Sequence, residues 1–562
     1  YKYGNNVLKG WMFIMKKSLV AVGVIVALGA VWTGASWYTG SKVKDELDRV
    51  ILKTNDFFAV NVPESGLNFK VENYEKGVFS SKADIVITSA DSVSPEDSIV
   101  FKTNIDHGPF PLSQVAKFNL LPKLAATQIE LANNATTKEL FEATQGKPFI
   151  HGSAVIGYSK SIDTNLELIP VEYKKDDVSL SFSGSKFDVS TTSDLAAVDA
   201  TLVTDNLVIG KKDNSESMTL KGLKLVSNVT KSQYGFYTGT QSFVIADTDF
   251  NIPETKFSFK DFKISSDTSI TGEDVKGNIS YSISDLKALE QNLGSGELTV
   301  AIEKLDAKAL GKFVEQYNEA LAQGLANGDP TEATERLAME MMSTTLPELM
   351  KSKPVFTVSP FYWKNEAGQS SVDLNITFNK WNQDEITALA MSNKVDEAIK
   401  QLITSFDFNL KLNKPMMIES MTQAMILDQG VPVNAETKKE MKGMVTSEFE
   451  GVQQMLTSDM FSSPFEEMFM TDEERAEKAK QKKSPWMIDS ENDLTMTIKF
   501  AGNDLTFNND KYTLAEFLTK MKVMSNPEDA LEYEAVPAPD AEPAPEMEVE
   551  PELAPQDAAP AN

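Results

Sequence analysis

From about residue 67 to 305 apolar side chains recur at every second position, with Ser, Thr, Asn, Asp and Gly punctuating the runs. "ADIVITSA" from Ala83 and "SIVFKTNI" from Ser98 are examples. A period of two is the signature of half-buried strands joined by turns. Inside this region a pattern returns about every 40 residues. "VSLSFSGSKFDV" begins at Val178, "MTLKGLKLVSNV" at Met218, "FSFKDFKISSDT" at Phe257 and "LTVAIEKLDAKA" at Leu298. In the last three, two alternating apolar residues are followed by a step of three and then further apolar positions. Leu220 is followed by Leu223 and Leu225, Phe259 by Phe262 and Ile264, and Val300 and Ile302 by Leu305. A step of three inverts the facing of a strand, and a β-bulge is the ordinary way to restore it. The expected body is therefore a long antiparallel sheet of repeated strands. One continuous apolar face is expected to carry Leu220, Leu225, Phe259, Ile264, Val300 and Leu305.

The period changes on either side. Residues 41–56 place Val43, Leu47, Val50 and Ile51 at helical spacing. After Leu305 the segments 309–328 and 330–350 are amphipathic, separated by Gly328 and restarted by Pro330 and Thr331. Strands return at "VFTVSPFYW" and "SSVDLNITF". A second helical block is expected over about 384–482, dense in methionine (Met416, Met417, Met421, Met441, Met444, Met455 and Met460 among them), most simply as core filler. The last ordered stretch, 493–521, reads as a hairpin turning at Gly502 to Asp504 and a helix from about Leu514.

Two segments fall outside any such period. Lys16 and Lys17 precede an uncharged run whose twenty residues, Leu19 to Tyr38, match the roughly 30 Å hydrocarbon core of a bilayer. Trp32, Trp37 and Tyr38 gather at its far end, as interfacial aromatics do. A cleaved signal peptide is the competing reading, with Thr33–Ala35 as its site; length and the aromatic belt favour an anchor over residues 15–40 with the bulk of the chain outside the cytoplasm. Residues 1–14 read as upstream readthrough before "MKKS". Residues 526–562 are rich in acid and proline without Lys or Arg, the composition of a disordered tail. The expected order is thus anchor, β-rich repeat region (41–305), mixed helix and strand region (306–525) and tail, with an α+β fold.

Charge and chemistry narrow the function. A net charge of −28 is unsuited to nucleic acid. Without cysteine there is no disulfide, thiol catalysis or thiolate metal site. "LGSGELT" fails the dinucleotide fingerprint at Thr299, and "DTDFNI" from Asp247 fails a calcium loop at Ile252 and Ser258. One of only two histidines stands in "IDHGPFPLSQ", where Gly108, Pro109 and Pro111 are the ordinary residues of a strand turning a corner. On this reading His107 is structural and Phe110 anchors the corner in the core. No catalytic, cofactor or metal residues are assigned.

Several stretches resemble the YdgA family of gamma-proteobacterial proteins: residues 15–40, "NYEKGVFSS" with "DHGPFPL", and "LGSGELTV", with weaker support from "YWKNEAGQSSVDLNITF" and "LTFNNDKYTLAEFL". The resemblance implies an inner-membrane anchor, a periplasmic body, self-association as a homodimer and no settled biochemical activity. Two roles fit. One is an envelope protein whose apolar sheet face handles lipid or another hydrophobic cargo, with helices after 306 as the alternative cover. The other is a cargo-free scaffold that dimerises through its helical region.

Overall fold

The computed structural model describes residues 66–89, 97–175, 177–192, 194–252, 256–326, 344–461 and 483–524, together with isolated positions in 44–55 and at 471 and 473. The anchor expected at 15–40 and the tail at 526–562 lie outside these residues. Among the described residues no helix is long and apolar enough to cross a membrane.

A single antiparallel sheet runs through the described chain. Its first strands each pair with the next: β1 (Asn68–Lys76), β2 (Ser80–Thr88), β3 (Ile99–His107), β4 (Ala125–Leu131), β5 (Ile150–Ile156) and β6 (Ser161–Leu168). Two short helices interrupt them, α1 (Leu112–Val115) and α2 (Lys138–Ala143). β6 continues in line as β7 (Val171–Lys175), and the chain returns as β8 (Val178–Phe182) and β9 (Ser185–Thr192). The break in this long hairpin is set by Pro170, which has no N–H for the ladder, facing the left-handed Gly184, φ +91°. β8 and β9 share one edge of β10 (Ala197–Lys211).

Five further long strands follow: β11 (Ser217–Lys231), β12 (Tyr237–Asn251), β13 (Phe257–Thr271), β14 (Asp274–Ala288) and β15 (Gln291–Asp306). The 40-residue period is thus the length of a hairpin, so the recurring motif falls on alternate strands, those beginning at Val178, Ser217 and Phe257. The fourth copy departs from it. β14 follows β13 through a two-residue turn, so β15 begins at Gln291 and Leu298 lies within the strand. The step of three coincides with a left-handed residue in each case: Gly222 in β11 (φ 62°), Asp261 in β13 (φ 48°) and Lys304 in β15 (φ 60°). The ring of Phe259 meets that of Phe262 edge-on at 5.8 Å, so the facing is restored across the step.

The sheet carries on past residue 306 as β16 (Val355–Asn365), β17 (Gly368–Phe378) and β18 (Ile403–Asn413). β19 (Ile488–Asp489), β20 (Asp493–Ala501), β21 (Asp504–Phe507) and β22 (Asp510–Thr513) complete it, β20 pairing with β18. Between them stand α3 (Ala307–Ala326), α4 (Leu346–Leu349), α5 (Gln383–Met391), α6 (Val395–Leu402), α7 (Lys414–Gln429), α8 (Ala435–Leu456) and α9 (Leu514–Lys520). The expected helical block over about 384–482 is interrupted by β18. Its Phe406, Phe408, Leu410 and Leu412 alternate with polar residues, and pairing on both sides with β17 and β20 decides their state. α9 begins at the expected residue, with Thr513 and Glu516 in a reciprocal capping box.

Packing is concentrated at the two ends of the strand order. At the first, Phe69, Ile85, Phe101, Ile129, Leu166 and Phe187 form a core closed by Ile51 and by Phe141 of α2. At the last, α9 and α6 cover Phe406, Ile498 and Phe500, while α7 and α8 cover Leu410, Leu412 and Met496. The methionines divide: Met416, Met441 and Met460 are buried, whereas Met444 and Met455 are exposed.

Candidate functional site

Directly opposed residues of neighbouring strands share a face. Followed across the ladders, this rule traces one apolar row: Leu202, Leu225, Phe243, Ile264, Tyr281, Leu298 and Phe361, on to Val372 and Leu410. The adjacent row, on the reverse face, is polar: Ser242, Ser265, Ser280 and Thr299, with Ser280 and Thr299 hydroxyls 2.8 Å apart. On that face the Tyr362 hydroxyl donates to Glu297 Oε2 at 3.4 Å. Burial first, and that carboxylate second, push the phenol above its usual range.

All six residues singled out from the sequence fall on the apolar face. Leu225 and Ile264 oppose Phe243, and Leu220 and Phe259 oppose Thr248 one step along. Val300 opposes Ile279, two residues from Tyr281, and Leu305 opposes Val275. Sequence reasoning missed Phe243, Tyr281, Leu298 and Phe361. The first two lie on the return strands of the hairpins, which carry the same step less plainly: in β14 Ile283 is followed by Leu286 across the left-handed Asp285 (φ 46°), and in β12 the step after Ile245 lands on the polar Thr248.

The face is covered unequally. Leu305 belongs to a small core with Phe236, Val275, Ala307, Leu310 and Val314, so α3 closes that end of the strands. The other end of β15 is held by α7, where Gln291 Nε2 donates to the Gln423 carbonyl. Apart from Ile270 of β13, which joins that small core, β11 to β13 touch chiefly their ladder neighbours among the described residues, and no described helix packs extensively on their middle. Leu225, Ile264 and Val300 are only partly buried, and Tyr281 and Phe361 retain 38% and 43% of their exposure. The described helices after residue 306 therefore do not serve as the expected cover for this stretch.

The histidine corner is built differently. His107 ends β3, its Nε2 lying 2.9 Å from Ser81 Oγ and its backbone N–H donating to the Phe79 carbonyl. Gly108 follows because there is no room for more: a Cβ would lie 2.2 Å from the Lys123 carbonyl oxygen. Pro111 is buried and starts α1. Phe110 and Pro109 are not buried. At 52% exposed, Phe110 is no core anchor, which corrects the expectation; the inward position is taken by Pro111 and by Asp106, whose Oδ2 accepts from Ser113 N–H. Gly108→Ala should therefore cost about 1–3 kcal/mol by overpacking against backbone, visible as a lower urea midpoint, whereas His107→Gln should shift it by under about 0.5 kcal/mol.

A polar cleft of about 840 Å³ lies on the reverse face of β2 to β6 and β9, lined among others by Lys82, Lys102, Glu130, His151, Glu167 and Lys186. His151 Nε2 stands 4.0 Å from Glu167 Oε2. Among the described residues no group of three His, Asp or Glu side chains is placed to hold a metal.

Comparison with known proteins follows the same outline. The chain is 28% identical to Protein YdgA of Escherichia coli (strain K12) over 539 residues, covering 93% of this chain and 99% of that one. It is 26% identical to the uncharacterized protein YihF of the same organism, over 76% of this chain and 89% of the relative. An uncharacterized protein of Haemophilus influenzae is 26% identical over 56% of this chain and 89% of its own length. No solved structure matches it. The model of the family described as "Bacterial protein of unknown function (DUF945)" matches residues 15–515, so the chain belongs to that family, the one its resemblance to YdgA indicates.

Proposed function

We propose that the protein is a non-enzymatic component of the bacterial cell envelope, anchored in the inner membrane by residues 15–40, whose periplasmic sheet binds lipid or another hydrophobic cargo on its apolar face. The observation that carries this reading is the row from Leu225 through Phe243, Ile264, Tyr281 and Leu298 to Phe361, partly exposed and without a described helix over its middle. Six strands about 4.8 Å apart, with three or four apolar residues along each, make a patch on the order of 500 Å². That is at the upper limit of what a soluble monomer ordinarily leaves bare. Covering it is worth roughly 12 kcal/mol before the costs of binding, at about 25 cal/mol per Å². The face is one residue deep and backed by a hydroxyl-rich face; it offers mainly apolar contact, with the Thr248 and Tyr281 hydroxyls but no charged side chain in the row to orient a substrate. That favours an acyl chain over a reaction.

Native mass spectrometry of the detergent-extracted protein is the test. Copies carrying one or more lipid masses are expected. A lipid-free dimer would leave the cargo-free homodimeric scaffold as the better account, and a lipid-free monomer would overturn both.

A further inference from the structure

A second apolar surface lies at one end of the sheet, away from the row just described. Three turns meet there: Gly77–Phe79 between β1 and β2, Gly108–Leu124 between β3 and β4, and Gly157–Lys160 between β5 and β6. They are tied together through the backbone, His107 N–H donating to the Phe79 carbonyl and Leu124 N–H to that of Ile156, both at 2.8 Å. Val78, Phe79, Phe110, Leu112, Phe118 and Leu121 are all exposed on these turns, Phe118 to 92%.

Their exposure is built in. The long turn is inverted relative to an ordinary loop, with polar groups inside and apolar ones outside. Asp106 is buried and accepts from Ser113 N–H. Gln114 is buried, bonded through its Oε1 to Asn119 Nδ2 and through its carbonyl to Asn119 N–H. Phe118 is held outward in the left-handed region, φ 59°, a conformation unfavourable for a bulky residue. Charge marks the same surface. The three turns hold Lys117, Lys123 and Lys160 and no Asp or Glu, in a chain with 82 acids. The next turn brings Asp194 and ends the patch.

We propose that this end of the sheet inserts into the headgroup region of a lipid bilayer, the apolar tips entering the interface and the three lysines meeting anionic headgroups. Turn tips projecting from three hairpins suit shallow apolar insertion with flanking lysines, which is how interfacial segments hold a membrane. The uncharged run Leu19–Tyr38 keeps a bilayer within reach. Ile51 is fixed in the first core, so residues 39–50 separate that run from the sheet. The inference does not depend on cargo binding, and its test does not read cargo.

Because the chain has no cysteine, Phe118→Cys in the full-length protein takes a single nitroxide label. The protein is reconstituted into vesicles of phosphatidylethanolamine and phosphatidylglycerol, with Met391→Cys, exposed on α5, as the aqueous control. The label at 118 should be accessible to oxygen and shielded from a water-soluble nickel relaxant, and the label at 391 the reverse. Adding Leu120→Asp and Leu121→Asp should return label 118 to the aqueous profile. An aqueous profile at 118 in vesicles overturns the proposal. So does shielding in vesicles that falls away when the protein is diluted at constant lipid, since a second copy would then be the cover.

Discussion

Ile264→Asp should leave the protein folded and abolish the lipid binding proposed for the apolar face. Ile264 stands at the middle of the apolar row, between Phe243 and Tyr281, and is only partly buried. A carboxylate placed there stays in contact with water, so the expected loss is that of cross-strand apolar pairing, roughly 1–2 kcal/mol. If the face were a filled core, the same carboxylate would be desolvated without a partner, at several kcal/mol, and the protein would unfold or fail to accumulate. Melting temperature and lipid content of the purified variant distinguish the two outcomes. Phe259→Asp repeats the measurement one step along the face, where the lost ring contact with Phe262 adds a small further cost. A variant that melts near the wild-type temperature with its lipid intact would mean that the lipid sits elsewhere. One that does not fold would mean that the face is filled.

Phe101→Ala should lower stability by about 3–5 kcal/mol, the largest effect expected of a single truncation in the described chain. Phe101 is fully buried on β3 within the core of Ile85, Ile129, Leu166 and Phe187, and the fixed backbone of β2 and β4 on either side leaves little scope for the cavity to collapse. The contrast is with Phe110→Ser nine residues on. There the aromatic already faces solvent, and the urea midpoint should move by no more than about 0.5 kcal/mol. Equal destabilisation by the two substitutions would mean that the corner loop packs inward in solution.

These two phenylalanines show how far sequence reasoning reaches. Phe101 sits in a strand whose alternation names the buried face. Phe110 sits among prolines and a glycine, where no period exists, and an aromatic in a turn reads as an anchor because apolar side chains usually go inward. Here polar groups hold the turn from inside. Asp106 and Gln114 each have a short local partner that sequence does not reveal as buried.

The same division holds across the chain. By itself the sequence determined the β-rich character of 67–305, the step of three and its restored facing, the common face of Leu220, Leu225, Phe259, Ile264, Val300 and Leu305, the hairpin at Gly502 and the helix from about Leu514. These are properties of consecutive residues: a period of two, a left-handed residue and a capping box each act within a few positions. Tertiary structure alone decided that Ile403–Asn413 is a strand between helices, since its pairing partners lie in β17 and far along the chain in β20. It likewise decided that α3 covers Leu305 while the described helices leave Ile264 uncovered. Periodicity tells which way a side chain faces; what lies opposite that face is set by contacts distant in sequence, which no local pattern encodes.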